Sequence, residues 1–461
     1  METVAVLDFG KTNIKLLAIG SDGRILESLS TANRGLPPPP YLHVDLWLIN
    51  DWLLAALRDL GRRHAIAAIV PTAHGSSGVL VDEREPMLPM MDYEAEPPPE
   101  IRAAYAEVAP PYGECFCPTG PGAQRPGLQL LWQQMDWPDR FERARHLLML
   151  PQYWSWKLSG VPASELTAVG AQTHLWNPRA RAFSSLVERQ GWRHLFPPFV
   201  PAWRPLGPLR PEVARATGLP ADTPVLCGIH DSNANYFRYL AAGMRDFALL
   251  STGTWIVGFN PSLPLERLDE SRWMTGNTDL DGRPVASNLV MGGREFALVA
   301  GERPAPATPA DVARAIGAGT MALPSFTDSD GPFPGSAGRG RIEGPPPADG
   351  PARTALATLY TALIAAACID LLEAPETVVI DGGFAGDPLF GRLVAGLRPD
   401  RRVLVNASRD GTALGAALLW RREERTAPAA VRLELERAAP AGLPGLEAYA
   451  ERWRRRVAEA S

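Results

Sequence analysis

Apolar and β-branched positions open the chain as one run from Val4 to Phe9. The run breaks at a polar turn centred on Gly10 and resumes from Ile14 to Ile19, before Ser21, Asp22 and Gly23. Short apolar runs punctuated by Gly, Asn and Asp predict strand, turn, strand, turn: a hairpin meander. Prolines 37 to 40 follow, and the Leu and Trp spacing from Leu46 to Leu57 predicts an amphipathic helix. Ile66 to Val70 reads as a buried strand. Strands and helices alternate from there, which predicts an α/β fold. Leu128 to Met135 and Arg143 to Gly160 read as helices with connecting turns, and Phe196 to Pro211, rich in proline, as an extended crossing segment.

A second passage has the same shape as the first. Pro224 to Phe237 reads as a strand ending in Gly228, Ile229, His230 and Asp231 and running into a helix; Phe247 to Phe259 then reads as strand, small-polar turn, strand. Two hairpin-plus-helix units suggest an internal duplication, with two similar domains facing each other across a cleft. The expected domains are 1–226 and 227–422, followed by a peripheral helical tail, 423–461, with no evident functional role. Ser329 to Ala352, dense in Pro and Gly, reads as a surface loop. Thr354 to Glu373 reads as an apolar helix of about five turns, and Thr377 to Leu397 as strand, Gly-Gly turn, helix.

Composition narrows the class. A chain of 461 residues, 46% hydrophobic and 21% charged, has room for two sizeable cores. The net charge of −5 is spread in mixed order, without the basic block of a nucleic-acid footprint. Only three of the 46 basic residues are lysines, and two of these are Lys11 in the first turn and Lys15 in the strand that leaves it. The arginine excess, with abundant Ala, Gly and Pro, reads as coding bias. Four cysteines are too few for a disulfide framework, and Cys115 and Cys117 lack the second pair or histidines of a zinc site, so reduced structural thiols are expected. No apolar stretch is read as approaching the roughly 18 residues of a membrane span, and the first residues carry no leader pattern. A cytoplasmic enzyme is the expectation.

Four places carry chemistry. At Asp8 to Asn13, a Gly-centred turn lets amides crowd an anion, while Lys11 and Thr12 offer a charge and a hydroxyl to phosphate. Asp8, at the strand end, can hold a hydrated Mg²⁺ against that phosphate. The same residues also suit an ordinary hairpin turn. Ser251, Thr252, Gly253 and Thr254 form a second loop of hydroxyls and amides. Gly382 and Gly383, at a strand end opening a helix, allow close backbone approach by a nucleotide. Asp231 can take a proton from a hydroxyl attacking a γ-phosphate, or simply cap the following helix. No GxxxxGK[ST] loop and no full GxGxxG spacing occurs.

The order of these motifs, from Val4 to Trp420, resembles the FGGY carbohydrate kinases of the actin/hexokinase-like ATPase superfamily. The resemblance implies two ribonuclease-H-like domains facing each other across a catalytic cleft, with ATP and Mg²⁺ as cofactors. It makes Asp8 the metal-side carboxylate, Gly10, Lys11, Thr12 and Asn13 the first phosphate loop, and Asp231 the general base. Thr252, Gly253 and Thr254 become the second phosphate loop, and Gly382 and Gly383 the adenosine site. Asp410 to Ala416 resembles the family's closing E-A-x-A-L-G-A helix start, with Asp-Gly-Thr where the acidic residue and Ala usually stand. Thr72 to Gly75 resembles a His-Gly turn that reaches the sugar. Pro89 to Glu94 corresponds to the W-x-D-x-R segment, with Met for the aromatic and Glu for Arg; His74 and Asp92 are its sugar-side candidates.

Leu250 to Trp255 and Gly228 to Asp231 look most like the rhamnulose and fuculose kinase branch, and Glu165 to Ala168 also resembles that branch's E-x-T-x-A. The implied substrate is a ketose or deoxyketose, phosphorylated on its terminal primary hydroxyl. The usual His-Asp-Thr reads His-Asp-Ser here, and Gln152 replaces an Asp before Tyr153. The implied partners are a small sugar and ATP, without nucleic acid or membrane; a homodimer is compatible with them. Two other readings stay open: a non-catalytic sugar- or nucleotide-binding regulator, and another ATPase of the actin-like fold. Lys11 is expected to bind phosphate, and Lys15 either to bind phosphate or to be structural.

Overall fold

The computed structural model describes residues 2–348, 350–408, 410–422, 431 and 433–460. The chain divides into two compact units, the first Met1–Gly243, Asn277–Pro284 and Asp410–Arg432, the second Met244–Gly276, Val285–Arg409 and Leu433–Ser461. Each carries a seven-stranded mixed sheet.

In the first unit, β1 (Thr3–Phe9), β2 (Asn13–Gly20) and β3 (Ile25–Ala32) form the expected meander. Helix α1 (Leu46–Arg63) is capped by Asp45, whose carboxylate accepts from the amides of Trp47 and Leu48. It buries Ile49, Leu53, Leu57 and Leu60. The apolar run that follows forms β4 (Ile66–Ala73), parallel to β1, with Asp8 opposite Thr72 and Phe9 opposite Ala73. The short strand β5 (Ile229–His230) extends the row, with His230 opposite Ala73. Three parallel strands therefore end side by side, and the residues leaving them, Gly10, His74 and Asp231, emerge at one sheet edge, where ligands bind in open α/β sheets. Helix α2 (Asp231–Ala241) follows at once.

The second unit repeats the scheme. β6 (Phe247–Thr252) and β7 (Ile256–Asn260) form a hairpin extended by β8 (Pro284–Val290). After α3 (Gly292–Ala300) and α4 (Pro351–Leu371) come β9 (Thr377–Gly382) and β10 (Arg402–Asn406), with β9 parallel to both β6 and β10. A meander whose first strand pairs in parallel with the next βα strand is the arrangement of β1 to β4. Helix α5 (Gly411–Ala417) then belongs to the first unit.

Three sequence expectations change. Within Arg143 to Gly160, His146–Met149 is a strand, paired with Gly78–Val81, and the helix begins at Leu150. Burial of Leu147, Leu148 and Met149 is what a strand packed on both faces shares with a helix, so the pattern alone misassigned it. The segment from Ser329 is not wholly surface: Phe333 is core, and Arg341–Glu343 pairs with Met321–Leu323. Helix α4 is long and apolar enough to cross a membrane by length and composition, contrary to the reading of the sequence, but 83% of its 18-residue apolar window is buried inside the protein. Its Tyr360 hydroxyl donates to buried Glu295, which also accepts from the amides of Phe326 and Thr327. In the tail, residues 423–430 lie outside the described residues, while α6 (Leu446–Ala460) packs Tyr449 and Trp453 into the second unit's core. All four cysteines are buried and free, as expected.

Candidate active site

Asp8 is the last residue but one of β1, and its register partner on β2 is Lys15. Burial lifts the Asp8 carboxyl to about 7, the Asp231 and Asp410 charges push in the same direction, and Lys15 opposes them. Lys15 Nζ lies 2.5 Å from Asp410 Oδ1. Lys15 is therefore an ion-pair partner within the first unit. Asp410 caps α5, and one turn on, Gly415 lets that helix seat against α2, since a Cβ there would lie 1.9 Å from the Ala234 carbonyl oxygen.

The first turn is held by its own backbone. Gly10 N donates to Asn13 O at 3.1 Å, and Asn33 clamps it through Nδ2 to Gly10 O and N to Thr12 O. Thr12 and Asn13 are exposed. Lys11 turns toward Pro89 to Glu94 instead of standing over the turn: Nζ lies 2.5 Å from Asp92, 3.3 Å from Glu94 and 4.7 Å from the Tyr93 ring centre. Asp92 is 4% exposed and also accepts from Glu94 N. The His74 ring meets Tyr93 edge-on at 5.4 Å, and its buried Nδ1 has no hydrogen-bond partner among the described residues. Burial pushes His74 down to about 4, so the ring is neutral at pH 7. Lys11, His74, Asp92 and Tyr93 thus form one cluster.

Asp231 is the first residue of α2, and the cap position belongs to His230, which makes no side-chain cap bond. Asp231 Oδ1 accepts from Ser232 N at 2.5 Å and Ser232 Oγ at 3.1 Å. Among the described residues no hydrogen bond engages Oδ2. The carboxylate is tied at one oxygen and open at the other, a geometry suited to accepting a proton.

In the second unit, Thr252 and Gly382 are register partners on β6 and β9. The Thr252 hydroxyl donates to Asp381 O at 2.6 Å and accepts from Phe384 N at 3.0 Å, so it ties the two loops together and is not the free hydroxyl expected of a phosphate ligand. Gly382 has φ +90, and a Cβ on it would lie 2.0 Å from Thr252 O, which requires glycine. Gly253, Gly382 and Gly383 are exposed, and Gly383 would bring a Cβ 3.9 Å from Gly253 Cα. The Gly253 amide donates to Trp255 O at 2.8 Å and the Gly382 amide to Asp381 Oδ1 at 2.6 Å, so these two are committed within their own loops. Gly293, opening α3, closes the tip of the hairpin: its amide donates to Thr254 O at 3.1 Å.

Two family models match this chain: the N-terminal domain of the FGGY family of carbohydrate kinases over residues 113–237, and the FGGY carbohydrate kinase C-terminal domain over 244–428. A solved structure, a carbohydrate kinase from Novosphingobium aromaticivorans, is 31% identical, with a TM-score of 0.83 over 100% of both chains. The chain belongs to the FGGY family of carbohydrate kinases. A ligand-bound xylulose kinase from Lactobacillus acidophilus shares the fold at 17% identity, with a TM-score of 0.80 over 100% of this chain and 97% of that one. An L-fuculokinase of Salmonella typhi is 27% identical over 265 residues, 55% of each chain. The chain thus spans about half the length of that curated relative.

As in other FGGY chains, the fold is the two-domain actin-like ATPase fold. Asp8 suits a hard divalent cation: a buried carboxylate near two others gains charge balance from one. No group of three or more His, Cys, Asp or Glu able to hold a metal occurs among the described residues, so this chain would supply only part of such a shell. Sequence reading missed the pairing of Lys15 with Asp410 and the residues behind His230. The Glu165 to Ala168 pattern was the available signal for the latter, used only as a mark of kinship.

Proposed function

We propose that this protein transfers the γ-phosphoryl group of Mg·ATP to a hydroxyl of a small neutral sugar, a ketose or deoxyketose such as rhamnulose or fuculose. The observation that carries the reading is the Asp231 carboxylate, tied at Oδ1 and open at Oδ2, at the strand-end edge that also holds Asp8 and His74. The fuculokinase relative supports the branch.

In this account the acceptor hydroxyl bonds to Asp231 Oδ2 and is oriented by His74 and Asp92. As the oxygen attacks phosphorus, its proton passes to Oδ2, and the oxygen to the β-phosphorus leaves with ADP. Asp8 would hold the Mg²⁺ of Mg·ATP, which when bound neutralises charge on the transferring phosphate. The loops Gly10 to Asn13 of the first unit and Gly253, Thr254, Gly382 and Gly383 of the second are the candidates for phosphate and nucleotide contacts, the Gly10, Gly253 and Gly382 amides themselves being committed to Asn13 O, Trp255 O and Asp381 Oδ1. Two carboxylates, Asp92 and Glu94, surround the single Lys11 ammonium, so the acceptor cluster carries no spare positive charge and disfavours a sugar acid.

ATP consumption measured against ketoses, deoxyketoses, polyols and sugar acids tests the reading. Phosphosugar formation with a neutral ketose supports it. ATP turnover indifferent to every sugar points to an actin-fold ATPase, and sugar binding without turnover points to a regulator.

A further inference from the structure

Behind the Asp231 carboxylate lies a buried polar chain that links Glu165, Thr167, His230, Asn233 and Thr278. On the backbone side, His230 N donates to Thr167 Oγ1 at 3.1 Å, and the Thr167 hydroxyl donates to Glu165 Oε2 at 2.6 Å. The same Glu165 oxygen accepts from Ala168 N, capping the short helix Leu166–Val169. Thr167 is thereby oriented: with its proton committed to Glu165, its lone pairs face the His230 amide.

On the ring side, Asn233 Nδ2 donates to Thr278 O at 2.7 Å. That leaves Asn233 Oδ1 as the acceptor facing His230 Nδ1 at 2.7 Å, so Nδ1 carries the proton. The imidazole is then fixed in rotation, with Nε2 3.2 Å from Asp231 Oδ1. Glycines keep the packing tight: a Cβ on Gly75 would lie 2.8 Å from His230 Nε2, and one on Gly170 would lie 2.7 Å from Thr278 Oγ1. His230, Asn233, Thr167, Glu165 and Thr278 are all buried, none more than 5% exposed.

We propose that Thr167 and Asn233 are positioning residues for phosphoryl transfer, clamping His230 by its backbone and by its ring so that Asp231 presents Oδ2 to the acceptor hydroxyl. The inference rests on the reading of Asp231 as the base. Thr167 holds the Ile229–His230 peptide at the end of β5, and Asn233 holds the imidazole that walls the tied oxygen. Neither touches substrate; each acts through His230. The motif Glu165 to Ala168 and the Asn at the fourth place of His-Asp-Ser-Asn gain a joint role that neither has alone.

The experiment is steady-state kinetics and nucleotide binding on full-length Thr167→Val, Thr167→Ser, Asn233→Ala and Asp231→Asn, each with a thermal melt. Misplacing a reacting group by about 1 Å costs up to about 100-fold in rate. Thr167→Val and Asn233→Ala are expected to lower kcat about 10- to 100-fold, with KM for sugar and for ATP within about threefold. Thr167→Ser, which keeps the hydroxyl, should restore kcat. Folded Thr167→Val and Asn233→Ala variants that retain wild-type kcat, or that lose activity only through KM, would overturn the clamp. So would a Thr167→Ser variant that is folded and as impaired as Thr167→Val. If Asp231→Asn itself turns over normally, the reading of Asp231 fails and the clamp with it; if Asp231→Asn is dead while Thr167→Val is normal, the clamp alone fails.

Discussion

Lys15 Nζ lies 2.5 Å from Asp410 Oδ1, a pair that joins β2 to the residue capping α5, 395 positions later. Because Lys15 also opposes the upward push on Asp8, removing its charge should raise the Asp8 pKa further. An ionised Asp8 is the form that would serve the metal, so Lys15→Ala should move the acid limb of kcat/KM for Mg·ATP to higher pH and weaken Mg·ATP binding several-fold at pH 7. A pH profile of kcat/KM against Mg·ATP checks this; an unshifted acid limb refutes the coupling.

Lys11 separates two roles by kinetics. Lys11 pairs with Asp92 and Glu94, which the proposed function places on the acceptor side, so on that proposal Lys11→Ala should raise KM for the sugar about tenfold and leave KM for ATP within about twofold. The opposite split, ATP affected and sugar spared, would return Lys11 to the phosphate role expected from the turn alone.

Gly382→Ala places a Cβ against the Thr252 carbonyl oxygen at a left-handed backbone position. The loops of β6 and β9 must then part. The expected cost is about 1–3 kcal/mol of stability, seen as a lowered Tm, together with loss of ATP affinity and no change in sugar binding. Calorimetric titration with ATP and with sugar separates these effects.

Glu165 gives a pH-dependent signature. Burial raises its carboxyl from the ordinary 4.5 to about 7, against bonds from Thr167 and Ala168 that lower it. The folded state therefore holds a proton that the unfolded chain releases near 4.5. That stabilisation is full below about 4.5 and is lost as pH rises through 7. Glu165→Gln, an amide mimic of the protonated acid, should remove this decline and be more stable than the wild type at pH 8. Denaturant unfolding at pH 5, 7 and 8 reads it directly; parallel curves for the two proteins would contradict it.

Much of this was legible in the sequence because the residues involved are local. The Asp8 turn, the Thr252 hairpin and the Gly382 junction each declare themselves by apolar runs broken at Gly, and the structure sets them at the ends of β1, β6 and β9. Side-chain direction was not legible. Lys11 looks like a phosphate ligand from its place in the turn, yet Asp92, 81 residues away, draws it elsewhere. Thr252 looks like a free hydroxyl until β9 arrives beside it and the Asp381 backbone carbonyl accepts its hydrogen bond. Partners brought by long-range strand pairing decide what a polar side chain does, and no window of sequence contains them.

The central claim is that Asp231 removes the acceptor proton. Its most direct test is single-turnover phosphosugar formation by Asp231→Asn, measured beside its equilibrium affinity for ATP. The account predicts a rate lowered by about 10² to 10⁴ with ATP affinity unchanged; phosphosugar formation at the wild-type rate would contradict it.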